Sequence, residues 1–233
     1  MSNGVVVKDA RLVVELSCSQ EHHIKVLEDS SIIVEEGVIT CIGNSCSPPR
    51  GLDRIDAKNY IVLPAYIDGH THTGSIINSL TGRGSSVCNF DGEHVADQKL
   101  VSKAAKIACI LTLISGGVGI IDMYHYPEEV VKVCRELGLY VATGPGIGIK
   151  SVFSTVAFAD RFRQDRGVIP LLNILTVDPI RIDIVKEYLE KAKSDQMRAH
   201  AHIAMTKSEV FEFRKRTGTV SYTHLRAHET SLH

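Results

Sequence analysis

Two pairs of histidines, each pair spaced two residues apart, are the groups in this 233-residue chain best suited to chemistry. His70 and His72 lie in DGHTHT, and His200 and His202 lie in RAHAHIAM. Side chains alternate between faces along an extended strand, so each pair presents both imidazoles on one side. Neutral imidazole is the commonest nitrogen donor to zinc and similar ions. His70 and His72 can therefore grip one ion from a strand end. A turn that happens to carry polar residues explains a bare His-x-His equally well, and a strand histidine taken alone is most often a hydrogen-bonded core residue.

The surrounding pattern says what must position these residues. Residues 4–60 hold strands rich in Val and Ile, broken by Gly43, Pro48, Pro49 and Gly51. From Ile61 onward apolar strands alternate with amphipathic helices, the signature of parallel βα units. The spacing predicts strand one ending at His72, a helix over 97–115 and a strand over 118–122. A helix follows from Pro127, where proline is tolerated in the first turn and Glu128 and Glu129 face the positive dipole end, and it closes at Gly138. Further strands are predicted over 139–143, 171–177 and 198–204, with helices over 182–194 and 207–216. Asp122 then ends the second of these strands, and His125 lies just beyond it. Both stand where sites of such folds gather and are candidate substrate-binding residues; a turn cap and a surface histidine are the plain alternatives.

The flanks of the first histidine pair resemble the amidohydrolase superfamily, metal-dependent hydrolases whose first barrel strand runs apolar, Pro, small residue, Ile-Asp and His-x-His. Pro64, Ile67, Asp68, His70 and His72 fall in place, with Ala65 where glycine is usual. Residues 32–43 are similar to the family's strand–turn–strand hairpin, and residues 117–124 to the second barrel strand of its deaminase and chlorohydrolase branch. The resemblance implies an α/β fold: a partial (β/α)₈ TIM-type barrel of about five strands over 61–218, preceded by 1–60 as part of a small β-sandwich. It implies one divalent metal ion, Zn²⁺ or Fe²⁺, held by His70, His72 and, from the fifth strand, His202. The implied reaction is hydrolysis of a carbon–nitrogen bond outside peptides, as in deamination of a cyclic amidine or an aminated heterocycle.

One departure bears on that reaction. In the deaminase branch a proton-shuttling glutamate follows the fifth-strand histidine by three residues. Met205 stands there, and a thioether cannot act as a base. The catalytic residue is therefore unassigned. A non-catalytic ligand-binding relative of the fold and a cyclic amidase of another branch stay open beside the deaminase.

Composition narrows the partners. A formal charge of −1 gives no electrostatic footprint for nucleic acid or anionic membrane. Residues 107–121 are apolar but too short to span a bilayer and are broken by Gly116-Gly117. The first residues lack a secretory pattern. The expectation is a cytoplasmic protein acting on a small-molecule substrate, with neither nucleic acid nor membrane as partner and with room for a homo-oligomer. The six cysteines show no paired spacing and are expected as reduced thiols, although Cys41 and Cys46 lie close enough to meet.

The end of the chain reads differently. Val220 to Thr230, VSYTHLRAHET, matches the in-frame translation of a transposase-end adapter used in preparing sequencing libraries. His224 and His228, spaced like helical ligands, are accordingly not counted among the metal residues. Residues 219–233 are expected to be an artefactual tail, and the barrel to be incomplete, since a full one needs ~250 residues. A polypeptide ending there is expected to be unstable.

Overall fold

The computed structural model describes residues 4–16, 24–77, 97–147, 152–175 and 182–220, which form two compact units, one ending at Ala65 and the other starting at Tyr66. The expected Gly/Ser loop at 82–86 and nearly all of the 219–233 tail lie outside the described residues.

The first unit is a five-stranded sheet. β1 (Gly4–Leu16), β2 (Ile24–Glu35) and β3 (Val38–Gly43) run antiparallel, while β4 (Asp53–Asp56) and β5 (Ile61–Val62) pair parallel to β1. The strands are longer than a Gly- and Pro-punctuated sequence suggests. β1 absorbs its polar Lys8-Asp9 step in a bulge between Val7 and Ala10, where Asp9 takes φ 54°. Past the bulge Ala10 and Val13 still point inward, and they pack with Ile32 and Ala57. A correction falls here too: Cys41 and Cys46 form a disulfide with Cα atoms 5.9 Å apart, because the chain turns back just after β3. Cys109 and Cys134 are free and buried.

The second unit is a curled parallel sheet, a partial TIM-type barrel, with strand order Arg198–Ala201, Val168–Ile174, Tyr140–Thr143, Gly117–Asp122 and Tyr66–Thr71. Its order along the chain is β6 (Tyr66–Thr71), a single 3₁₀ turn (Thr73–Ser75), α1 (Gln98–Ile114), β7 (Gly117–Asp122), α2 (Pro127–Leu137), β8 (Tyr140–Thr143) and β9 (Gly146–Ile147). It continues through α3 (Val152–Phe162), β10 (Val168–Ile174), α4 (Ile182–Ser194), β11 (Arg198–Ala201) and α5 (Lys207–Thr217). Local chemistry sets the helix ends. Asp97 caps α1 by accepting the Leu100 N–H, and Gly138 ends α2 in the left-handed region at φ 74°. Helix and strand faces meet in one apolar cluster around Cys109, Ile120, Val130, Val141 and Phe158, and in a second around Leu172, Ile174, Val185 and Phe213. Among the described residues no helix is long and apolar enough to cross a membrane.

Three expectations shift. β10 begins three residues before the predicted strand and includes Pro170. Residues 168–170 pair with β8 alone and β11 joins only from Leu171, so the missing Pro170 N–H leaves no ladder bond unmade. β11 stops at Ala201 rather than 204, and Ala204 turns left-handed at φ 56° on the way into α5. The helix at 152–162 has no counterpart in the sequence reading.

Candidate metal centre

The ends of β6 and β11 bring three imidazoles to one point. His202 Nε2 lies 3.1 Å from His70 Nε2 and 3.1 Å from His72 Nε2, and the last two are 3.2 Å apart. Nitrogens bonded to zinc at about 2.0–2.1 Å in a tetrahedron stand about 3.3–3.4 Å from one another. The triangle is therefore already close to the size a divalent ion requires, and these three residues can hold one.

His72 and His202 are positioned by the same device. The last β6–β7 pair is Thr71 with Asp122, and the last β10–β11 pair is Ile174 with Ala201. Each ligand is the next residue along, His72 or His202, and its Nδ1 meets the carbonyl of the next residue on the neighbouring strand. His72 thus donates to Met123 O and His202 to Leu175 O, the latter at 2.8 Å. A carbonyl only accepts, so Nδ1 carries the proton and Nε2 is left with its lone pair toward the centre. His70 differs, with its Nδ1 2.9 Å from His200 Nε2.

Burial favours the neutral form of His70, His72 and His200, the form that ligation needs. His72 is pushed down to about 4 by loss of solvent, partly opposed by its bond to Met123. His200 is pushed down to about 4 by burial and then by its histidine neighbours. His70 is lowered by burial and by His202 beside it, with Asp68 working the other way.

The other candidate residues fall around this triangle. Asp122 ends β7. It is wholly buried, and its Oδ1 accepts both the backbone N–H and the hydroxyl of Thr73, the residue after His72. Burial pushes its carboxyl up to about 6 in spite of those bonds, with Thr143 adding a weaker interaction outside good hydrogen-bond geometry. Asn173 on β10 ties three strands together by donating to Asp122 O and Gly144 O. His125 follows Tyr124, whose ring lies 5.1 Å from it and 6.4 Å from the His72 ring. Tyr124 packs over Gly74, where a Cβ would stand 2.0 Å from the ring. Met205 lies just before α5. Its backbone N–H donates to Glu209, and Thr206 caps the helix by accepting the Glu209 N–H. The sequence reading missed Tyr124, Thr73 and the two carbonyls, none of which a local residue pattern marks.

No family model matches the chain. It is 27% identical to the 5-methylthioadenosine/S-adenosylhomocysteine deaminase of Thermoanaerobacter pseudethanolicus, over 96% of this chain and 54% of that protein. Among solved structures it is similar to the zinc-complexed atrazine chlorohydrolase of Arthrobacter aurescens TC1, with TM-score 0.75 and 14% identity over 96% of this chain and 58% of the other. It is also similar to a zinc-bound adenosine deaminase of Xanthomonas campestris, with TM-score 0.74 and 17% identity over 96% and 54%. The chain spans about half the length of the curated relatives it matches. In fold the chain is thus similar to triazine hydrolases, an adenosine deaminase and an amidohydrolase, and in sequence it is similar to deaminases.

Proposed function

We propose that the chain carries the metal-binding part of a hydrolase that acts on carbon–nitrogen bonds other than peptide bonds, by deamination of an aminated heterocycle. The convergence of His70, His72 and His202 Nε2 at 3.1–3.2 Å carries the proposal. One Zn²⁺ or Fe²⁺ fits that donor set. Bound there, a divalent ion supplies Lewis acidity, lowering the pKa of a water toward ~7 and polarising the bond under attack. The chain's own residues do the rest. Met123 O and Leu175 O hold two ligand rings in the binding tautomer, and Asp122 fixes the turn after His72 through Thr73. His125, next to Tyr124 at the edge of the site, is the residue we assign to substrate contact. The substrate class is a purine-like amine, in keeping with relatives named for 5′-deoxyadenosine and methylthioadenosine deamination.

Met205 favours a second reading, a relative that binds such a ligand without turning it over. Ammonia release from 5′-deoxyadenosine by the zinc-loaded chain, compared with a Met205→Glu variant, separates the two. The deaminase reading expects turnover, raised in the variant. Stoichiometric zinc with saturable nucleoside binding and no ammonia from either protein favours the binding reading. Absence of zinc uptake overturns both.

A further inference from the structure

Two of the three ligand rings are locked by groups that can only accept a hydrogen bond. The third is not. His70 Nδ1 faces His200 Nε2 at 2.9 Å, a full-strength hydrogen-bond distance. The two rings meet edge to face, with centroids 4.9 Å apart and planes at 74°. An imidazole nitrogen accepts in one tautomer and donates in the other. If His200 carries its proton on Nδ1, its Nε2 accepts, His70 keeps its proton on Nδ1, and the His70 Nε2 lone pair faces the other two ligands. If His200 carries its proton on Nε2, the His70 proton moves to Nε2. It then points at nitrogens 3.1 and 3.2 Å away and occupies the place an ion needs.

His200 is itself held by the sheet. It sits on β11 in register with Asn173 of β10. Its other nitrogen, Nδ1, is buried and has no hydrogen-bond partner among the described residues. No second bond there dictates the His200 tautomer, so the tautomers of His70 and His200 are decided together.

We propose that His200 is the positioning residue of the metal centre: its Nε2 accepts the His70 Nδ1–H and so keeps the His70 Nε2 lone pair on the ion. This rests on reading His70, His72 and His202 as ligands. It adds a residue that never touches the ion yet sets its affinity, as partners of ligating histidines do.

The test uses metal binding and tautomer state, not turnover. Zn²⁺ affinity is measured by competition with a chromophoric chelator, and Co²⁺ binding by its visible absorption, for the wild-type chain, His200→Leu and His200→Gln. Leucine fills the space with no acceptor, while glutamine offers its Oε1 near the position of Nε2. Expected is a loss of about 10–100-fold in His200→Leu and recovery of most of that loss in His200→Gln. Equal affinity in wild type and His200→Leu overturns the proposal, as does a folded His200→Gln that binds no better than a folded His200→Leu. Should the leucine variant fail to fold, ¹H–¹⁵N correlation spectra of the metal-free wild type decide. They are expected to show His70 protonated on Nδ1, and protonation on Nε2 overturns the assignment. A wild-type chain that takes up neither metal overturns the ligand reading itself, a separate result.

Discussion

Thr73 gives both its backbone N–H and its hydroxyl to the same oxygen of Asp122, at 2.9 and 2.8 Å, across the parallel pair β6–β7. The bond is made inside the sheet, where Asp122 has no exposed surface. It anchors the chain one residue beyond His72, so a buried carboxyl supports a candidate metal ligand without a hydrogen bond to it.

That burial sets a pH dependence. The Asp122 carboxyl rises from 3.8 to about 6 in the folded protein because burial disfavours the anion. A folded value above the unfolded one means the folded state holds this proton more tightly. The contribution is full below about pH 3.8 and is lost as pH rises toward 6, on the order of 3 kcal/mol in all. His72, lowered from 6.5 to about 4, works in the opposite sense: its contribution is present above pH 6.5 and is lost as pH falls toward 4. Subtracting the urea-unfolding curves of Asp122→Asn from wild type at each pH isolates the first effect. The difference should change steadily between pH 4 and 6 and level off above; a difference independent of pH refutes the assignment.

Metal affinity should resist mild acid. Three ordinary imidazoles, each losing roughly tenfold to protons at pH 5.5, would weaken binding about a thousandfold relative to neutral pH. His72 stays neutral to about pH 4, and His70 is lowered as well. Zinc competition titrations at pH 7.5 and 5.5 should therefore differ by much less than a thousandfold. A full thousandfold loss would show that the rings titrate as free histidines.

Gly144 should be intolerant of any side chain. A Cβ there would lie 1.9 Å from the Leu171 carbonyl oxygen, a backbone atom with nowhere to retreat, while Asn173 donates to the Gly144 carbonyl from the same strand. Gly144→Ala is expected to cost about 3 kcal/mol in urea unfolding, at the upper end of overpacking effects. Gly138→Ala, at φ +74° in open space, should cost only about 1 kcal/mol. Equal losses at the two positions would remove the distinction between collision and backbone strain.

The Cys41–Cys46 bridge closes a short loop, with a sequence separation of 5. The chain-entropy relation gives such a loop about 2 kcal/mol. Cys41→Ser/Cys46→Ser should lower the urea midpoint by about that amount, and wild type with reductant should match the variant. Peptide mapping without reductant that finds two free thiols at 41 and 46 would refute the bridge.

What the sequence made legible was the part encoded by side-chain type and period. His70 and His72 were marked by their spacing after an apolar run, and α2 by Pro127 at one end and Gly138 at the other. The start of β10 was hidden because Pro170 reads as a break, and only the pairing shows that its N–H is not needed. The anchors of His72 and His202 were invisible for a different reason. They are main-chain oxygens, present at every residue, and only strand register selects those of Met123 and Leu175. Asp122 could be placed at a strand end, yet its burial follows from how α1 and α2 pack over β7, which no local pattern records.

Because those anchors are main-chain oxygens, the bonds they make depend on the register positions of Met123 and Leu175 and not on their side chains. The centre works as a gauge of sheet alignment: slipping β7 against β6, or β10 against β11, by one residue moves the carbonyl by about 3.3 Å and strands a ligand proton. Metal uptake by this chain would then report whether two parallel strand pairs have closed in the correct register, a property usually out of reach of a single binding measurement.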